Sequence, residues 1–166
     1  MNCPACGTEN IVGSPVCMDC GQTLPQEGLE EADLFSVPLA DLNPRQPVCI
    51  GRQTPLDQVL DLLKGRNIGC LLVTGDEGAL IGIFTEADVL YRVAGLIQEL
   101  ERVPVESLMT PRPTSLRLDM PISQALHLMG LHGFRHIPLV DDQEHPIGFV
   151  SFRDIVQFIE EKFIDA

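Results

Sequence analysis

The chain has 166 residues, with 11 Lys or Arg against 24 Asp or Glu and a formal net charge of −13. A hydrophobic fraction of 45% is enough to form a buried core, which excludes a wholly disordered chain. The sequence has no uninterrupted run of about 18 apolar residues, so no membrane span is predicted. The acidic balance also opposes nucleic-acid binding, because phosphate backbones are bound by clustered Lys and Arg. The N-terminus lacks the basic and apolar regions of a signal peptide, and we expect a cytoplasmic protein.

Four of the six cysteines lie in the first 20 residues, in two Cys-x-x-Cys-Gly motifs. The first motif holds Cys3 and Cys6, the second holds Cys17 and Cys20, and ten residues separate them. Four thiolates at this spacing predict a tetrahedral Zn²⁺ site, and the glycine after each pair permits a backbone turn with positive φ. A disulfide pair and a redox dithiol are the alternatives. Disulfides are not expected in a chain without a signal peptide, and a redox motif needs only one such pair.

Residues 1–24 resemble the small zinc ribbons found at the N-termini of many prokaryotic proteins. Zinc ribbons often bind nucleic acid, but this segment carries Glu9 and Asp19 and no Lys or Arg. We therefore favour a structural role, or contact with an unidentified protein partner, over contact with DNA or RNA. Residues 25–36 are polar and acidic, and they predict a linker.

The rest of the chain contains one unit twice. Residues 37–100 align without a gap on residues 103–166, and 12 of the 64 residue pairs are identical. The identities end at Asp88 and Asp154, and the substitutions between them keep their hydrophobic character. This repeat is too long for a solenoid and predicts two copies of a small α/β unit that pack against each other.

Both copies predict the same order of elements: a helix, a strand, a polar turn, a second strand and a second helix. Apolar residues at positions i, i+3, i+4 and i+7 identify the first helix of each copy. The predicted elements are helices over Leu56–Leu63 and Ile122–Met129, strands over Cys70–Val73 and His136–Val140, strands over Ile81–Phe84 and Ile147–Val150, and helices from Thr85 and Ser151. Cys49 and Cys70 lie among apolar residues and are expected to be small buried hydrophobes.

Residues 82–88 and 148–154, each with Gly near the start and Thr or Ser three residues before Asp, resemble the closing motif of cystathionine-β-synthase-type (CBS) domains. The Leu-Met-Thr-Pro stretch at 108–111 and the Arg-His-Ile-Pro-Leu-Val-Asp stretch at 135–141 strengthen the resemblance. It implies an α/β fold, with CBS domains at 37–102 and 103–166 related by a pseudo-twofold axis. It also implies that the chain binds an adenosine nucleotide or S-adenosylmethionine and regulates without catalysing.

The resemblance implies ligand-binding residues in both copies. A hydroxyl and a carboxylate three residues apart can contact the two hydroxyls of a ribose. The same spacing is also typical of a helix N-cap with an acid in the first turn, and that alternative stays open. The Arg-His pair of the second copy matches the phosphate-binding position of relatives, whereas the first copy has Gly69-Cys70 there, so we expect two unequal clefts. The ligand-binding candidates are Thr85, Asp88, Ser151, Asp154, Arg135 and His136.

No catalytic constellation is recognisable: a nucleophile elbow, a P-loop and a Rossmann glycine fingerprint are all missing from the sequence. We therefore expect a non-enzymatic regulatory module that binds AMP, ADP, ATP or S-adenosylmethionine, with structural Zn²⁺ in the ribbon. Apolar faces such as Leu56–Leu63 and Ile122–Met129 are expected to be partly available for a homodimer. The alternative function is an interaction protein that dimerises through its CBS pair and leaves both clefts empty.

Overall fold

The computed structural model describes four parts of the chain: residues 3–9, 16–22, 36–93 and 100–164. The predicted acidic linker lies outside the described residues except for Ser36. The chain divides into two units, Met1–Phe35 and Ser36–Ala166. Among the helices of the described ranges, none is long and apolar enough to cross a membrane.

The unit Ser36–Ala166 contains the two predicted copies as a mixed α/β structure, and the predicted order of elements is confirmed in each. The first copy forms β1 (Cys49–Gly51), α1 (Leu56–Arg66), β2 (Cys70–Thr74), β3 (Leu80–Thr85) and α2 (Glu86–Asp88), followed by a π-helical turn at Val89–Val93. The second copy forms β4 (Thr110–Pro111), α3 (Ile122–His132), β5 (His136–Val140), β6 (Pro146–Ser151) and α4 (Phe152–Ile159), followed by a π-helical turn at Glu160–Ile164. Short 3-10 helices lie at Leu39–Leu42, Leu100–Arg102 and Val105–Ser107.

Matching residues begin and end α1 and α3. Each helix follows a proline with an extended backbone, Pro55 or Pro121. Each ends at a residue in the left-handed region, Asn67 with φ 50° and Gly133 with φ 71°. Asn and Gly tolerate this conformation better than other residues, so both helices stop at equivalent positions of the repeat.

The sheet of the first copy includes a strand from the second. β1 is parallel to β2, β2 is antiparallel to β3, and β3 pairs with β4 in antiparallel fashion. In the second copy, β5 and β6 pair, and Arg45 of the first copy forms an isolated bridge with Phe149 on β6. The segment that opens each copy therefore lies against the sheet of the other.

Each hydrophobic core also contains a residue from the opening segment of the other copy. Leu39 is fully buried in the core built on α3, β5, β6 and α4. Val105 is fully buried in the core built on α1, β2 and β3. Each core thus takes apolar residues from both copies, and the boundaries at 37–102 and 103–166 stay a prediction.

Two expectations about exposure differ from the structure. Leu56, Leu63, Ile122 and Met129 are buried in the cores of their own copies, so they do not form a free face for a second chain. Cys49 is exposed, because β1 is a short strand whose residues alternate between exposed and buried. The large apolar side chains that are exposed among the described residues are Val16, Met18, Leu90, Tyr91, Leu118, Leu131, Ile147 and Phe152.

The prediction for Cys70 is confirmed. Its side chain is buried at the start of β2. This burial raises the pKa of its thiol to about 12, so the thiol is protonated at neutral pH.

Candidate functional site

A cavity of about 600 Å³ lies between the two copies of the unit. The first copy provides the end of β3, α2 and the π-helical turn, and the second copy provides the approach to β5 and the segment around β4. The lining residues are Gly69, Ile83, Thr85, Glu86, Ala87, Asp88, Leu90, Tyr91, Thr110, Pro113, Thr114, Gly133, Phe134, Arg135 and His136. Four of the six ligand-binding candidates named from sequence, Thr85, Asp88, Arg135 and His136, therefore meet in one cavity.

Asp88 is the most buried ionisable side chain of this cavity, with 7% of its surface exposed. Its Oδ2 accepts hydrogen bonds from the backbone N–H and the hydroxyl of Thr85, both at 2.8 Å. Its Oδ1 lies 3.3 Å from Nη1 of Arg92, one helical turn along the chain. Arg92 does not line the cavity and also donates to the carbonyl oxygens of Leu108 and Met109.

These contacts leave free hydrogen-bonding capacity at the motif. A carboxylate oxygen offers about two acceptor positions, so Oδ2 of Asp88 is saturated by Thr85 while Oδ1 keeps one position. The Thr85 hydroxyl gives its proton to Asp88, and its oxygen accepts the backbone N–H of Asp88 in a capping box, which leaves one acceptor position on Oγ1. The pair can therefore accept one hydroxyl proton at Asp88 Oδ1 and another at Thr85 Oγ1.

The basic end of the cavity comes from the second copy. Arg135 is exposed and His136 is half-buried at the start of β5. Burial lowers the pKa of the His136 imidazole, although the nearby carboxylate of Glu86 opposes this shift. At neutral pH His136 is thus an uncharged hydrogen-bonding group, and Arg135 carries the positive charge of the pair.

An apolar wall completes the cavity. Leu90 and Tyr91 lie in the π-helical turn that follows Asp88, and Phe134 lies just before Arg135. The side chain of Tyr91 is 81% exposed, so its ring lies at the mouth of the cavity. π-Helical turns are frequent at functional sites, and this one places an aromatic ring three residues after the acid. Aromatic and aliphatic side chains in this arrangement can cover a planar heterocycle.

Ser151 and Asp154, the equivalent motif of the second copy, do not line this cavity. Ser151 donates from its backbone N–H and its hydroxyl to Oδ2 of Asp154, at 2.8 and 2.6 Å. Nη2 of Arg45 donates to Oδ1 of Asp154 at 2.8 Å. The two motifs thus share their internal hydrogen bonds and differ in the arginine that each carboxylate meets.

Several cavity residues were not identified from the sequence. Thr110, Pro113 and Thr114 reach the cavity because the segment that opens the second copy crosses to the first. Tyr91 follows Asp88 closely and Phe134 directly precedes Arg135, but a single aromatic residue in an apolar stretch usually indicates a core position. Pro113 is identical to Pro47 at the offset of 66 residues. This identity was the sequence signal that marked the segment as a matching part of both copies.

The four cysteines of the N-terminal unit form a separate cluster. Their sulfur atoms all lie within 4.8 Å of one another, so this cluster could hold a metal ion. The Sγ atoms of Cys3 and Cys20 are 3.7 Å apart, and those of Cys6 and Cys17 are 3.6 Å apart. Tetrahedral zinc–thiolate bonds of about 2.3 Å place sulfurs about 3.8 Å apart, whereas a disulfide needs about 2.05 Å. The cluster therefore fits Zn²⁺ and contains no disulfide.

The local backbone of this unit also fits the zinc prediction. Gly7 and Gly21 have φ of 75° and 71°, as expected for the residue after each cysteine pair. Each glycine N–H donates to the carbonyl oxygen of the first cysteine of its motif, which closes a tight turn around the sulfurs. Thr8 in the first turn donates to Asp19 in the second at 3.0 Å, so a hydrogen bond joins the two turns.

Comparison with known proteins identifies the repeated unit. The CBS domain family matches residues 39–95 and 105–161. An uncharacterized protein of Methanopyrus kandleri is 30% identical over 95 residues, which cover 57% of this chain and 48% of that protein. The chain therefore spans about half the length of this relative.

Solved structures show the same fold. The CBS domain protein PAE2072 from Pyrobaculum aerophilum, complexed with AMP, has a TM-score of 0.68 and 22% identity, over 78% of this chain and 100% of that one. The CBS domain pair of protein MJ0100, in complex with 5′-methylthioadenosine and S-adenosyl-L-methionine, has a TM-score of 0.67 and 23% identity, over 76% of this chain and 96% of that one.

Proposed function

The chain belongs to the CBS domain family, and we propose that it is a regulatory module that binds one adenosine-containing ligand in the cavity at Asp88. The observation that carries this proposal is the composition of that cavity. A hydroxyl–carboxylate pair from the first copy, Thr85 and Asp88, faces a basic pair from the second, Arg135 and His136. Two structural neighbours hold AMP or S-adenosylmethionine, which supports an adenosyl ligand.

The proposed contacts follow from the acceptors and charges in the cavity. Ribose hydroxyls donate to Oδ1 of Asp88 and Oγ1 of Thr85, the two positions with free acceptor capacity. The adenine lies against the apolar wall that includes Tyr91. A phosphate is placed near Arg135, where it gains a charge-assisted hydrogen bond. Arg135 is the one permanently charged cation among the described residues that line the cavity, so a monophosphate is favoured over a triphosphate.

A ligand in this cavity touches both copies at once, and this is how we propose that it regulates. It stabilises the arrangement of the two copies in which the pairs Thr85–Asp88 and Arg135–His136 are at the right separation. Any arrangement that separates them binds the ligand more weakly. The difference in affinity between the two arrangements sets the size of the response. No step in this proposal requires catalysis.

The N-terminal unit has a second role in the proposal. Cys3, Cys6, Cys17 and Cys20 hold one structural Zn²⁺, which stabilises a segment too small to form a core of its own. Its described residues expose Glu9 and Asp19 and include no Lys or Arg, and we propose contact with a protein partner in preference to nucleic acid.

We further propose that the protein is cytoplasmic and forms a homodimer. Leu131 on α3 and Phe152 on α4 expose 65% and 51% of their surfaces, and a dimer would cover such side chains. Light scattering on the full chain tests the dimer, and a monomer at tens of micromolar would contradict it.

Isothermal titration calorimetry on the full chain tests ligand binding. The ligands are AMP, ADP, ATP, S-adenosylmethionine and adenosine, each titrated separately. We expect saturable binding of at least one of them at one site per chain. The absence of binding by all five would contradict the proposal.

An interaction protein with empty clefts is the second candidate function. It is favoured by the hydrogen bonds of both closing motifs, in which Asp88 and Asp154 accept bonds from the residue that begins their helix. Such bonds stabilise helix N-termini whether or not a ligand binds. Substitution of these acids separates the two candidates, because only the ligand-binding module should lose affinity for adenosine when Asp88 is replaced.

A further inference from the structure

Arg45 occupies one of the two acceptor positions on Oδ1 of Asp154. Both acceptor positions on Oδ2 of Asp154 are used by Ser151, and Nη2 of Arg45 donates to Oδ1 at 2.8 Å. In the first copy, the equivalent Oδ1 of Asp88 lies 3.3 Å from Arg92, which belongs to the same helical segment and does not line the cavity. A ribose hydroxyl at Asp154 would therefore compete with a guanidinium group.

The repeat places Arg45 on the cleft side of Asp154. Residues 110–114 provide three of the residues that line the Asp88 cavity. Their counterparts at the offset of 66 are residues 44–48, so this segment lies beside the second cleft. Arg45 is the counterpart of Pro111, and its backbone carbonyl accepts a hydrogen bond from Phe149 on β6 at 3.3 Å. The anchored backbone keeps the Arg45 side chain within reach of Asp154.

The electrostatic surroundings of Cys70 support the same placement. Cys70 is the counterpart of His136, which lines the first cavity. Burial is the main reason why the pKa of its thiol is raised, while the charge of Asp154 raises that pKa further and the charge of Arg45 lowers it. Both members of the ion pair therefore lie near the residue that takes the place of His136 in the second cleft.

The arginine beside Asp88 differs in position. Arg92 belongs to the same helical segment as Asp88, is held by the carbonyl oxygens of Leu108 and Met109, and does not line the cavity. Arg45 comes from a segment 109 residues away in the sequence, and its guanidinium group donates to Asp154. Asp154 is thus paired with an arginine on its cleft side, whereas the arginine that pairs with Asp88 lies outside the cavity.

We propose that Arg45 is a specificity-determining residue that closes the second cleft to the ribose of an uncharged nucleoside. The nature of the ligand rests on the proposed function, whereas the closing of the cleft rests on the ion pair. Arg45 is 56% exposed and Asp154 is 14% exposed, so the pair is partly hydrated. An exposed pair of this kind changes an equilibrium constant by about fivefold at most, and the volume of the guanidinium group adds to that effect.

The test is a titration of the full chain with adenosine, followed by backbone amide NMR. Shifts of the Thr85 and Asp88 amides report the first cavity, and shifts of the Ser151 and Asp154 amides report the second cleft. We expect R45A to lower the dissociation constant read from Ser151 and Asp154 by fivefold or more relative to wild type. R45K, which keeps the charge, should resemble wild type.

R52A is the matched control, because Arg52 is also a half-exposed arginine of the first copy and pairs with Asp76 away from the cleft. It should leave both sets of shifts unchanged. Equal dissociation constants at Ser151 and Asp154 in wild type and R45A, including no binding in either, would overturn the inference. Gain of binding at Ser151 and Asp154 in R45A without shifts at Thr85 and Asp88 would uphold it and contradict the proposed function.

Discussion

The imidazole of His136 packs directly over Gly69: a Cβ atom on Gly69 would lie 2.8 Å from Nε2 of His136. These residues come from opposite copies, and the repeat makes Arg135 the counterpart of Gly69. A side chain at residue 69 would collide with the imidazole of His136 in its present position. The counterparts of Gly69 and His136 in the repeat are Arg135 and Cys70, so the large and small residues exchange places between the two copies. This contact makes the two clefts unequal, because the glycine at residue 69 leaves the space that the imidazole of His136 occupies in the first cavity.

Gly69→Ala should weaken binding in the first cavity. The added methyl group is too close to His136, so the ring must move, and it moves at the basic end of the cavity. We expect AMP affinity measured by calorimetry to fall roughly threefold to tenfold, the effect of losing about one hydrogen bond. Gly65→Ala is the control, since a Cβ there meets no atom within 4 Å in helix α1. It should leave binding unchanged and raise stability by about 0.5–1 kcal/mol.

Asp88→Ala and Asp154→Ala form a matched pair. Each removes an acid that accepts bonds from the residue beginning its helix, and each should lower the unfolding free energy by about 0.3–1 kcal/mol. Asp88→Ala alone should weaken adenosine binding about tenfold or more, because a charged acceptor for a ligand hydroxyl is lost. Thermal denaturation and calorimetry on the same samples separate the two effects. Equal affinity of both variants for every ligand would favour the interaction protein with empty clefts.

The elements of the fold were predictable because their signals are local and occur twice. The four apolar positions of α1 recur in α3, and the pattern of two strands around a polar turn is the same in both copies. β4 was not predicted, because a strand of two residues, Thr110 and Pro111, has no detectable periodicity. Its role depends on a partner strand from the other copy, which local sequence does not specify.

The cavity was predictable in part for the same reason. Thr85 and Asp88 form a short motif, and the sequence places them at the end of a strand. The ion pair of Arg45 with Asp154 joins residues 109 positions apart, and no spacing rule connects them. The prediction for Cys49 was wrong for a related reason. Its apolar sequence neighbours predicted burial, but it lies on β1, the edge strand of the sheet, and is exposed.

Arg135→Ala should discriminate ligands by their phosphate. Arg135 carries the positive charge at the basic end of the cavity, so AMP should bind roughly fivefold to tenfold more weakly, while adenosine affinity should change little. Calorimetry at two salt concentrations checks the assignment, because the loss should shrink as screening increases. Arg153→Ala removes another exposed arginine outside this cavity and should leave AMP affinity unchanged.

His136 should make stability depend on pH. Because burial lowers its pKa below the ordinary value of 6.5, the unfolded chain binds the proton more readily than the folded chain. The free energy of unfolding should therefore be highest above pH 6.5 and should fall as the pH is lowered through the depressed pKa. Urea denaturation between pH 7 and pH 5, compared for wild type and H136Q, isolates this contribution from that of the carboxylates. Parallel curves for the two proteins would contradict it.

Zinc should stabilise the N-terminal unit without affecting the CBS pair. We expect close to one Zn²⁺ per chain by elemental analysis, and Cys17→Ser should lose it because this buried cysteine supplies one of four sulfurs. Structural zinc contributes on the order of 10 kcal/mol to small domains, so chelation should unfold the ribbon. The melting transition of residues 36–166 should stay in place, because their cores contain no part of the cysteine cluster. Cys49→Ser removes an exposed thiol outside the cluster and should retain the metal. Full zinc content in Cys17→Ser would show that the four sulfurs do not act together as its ligands.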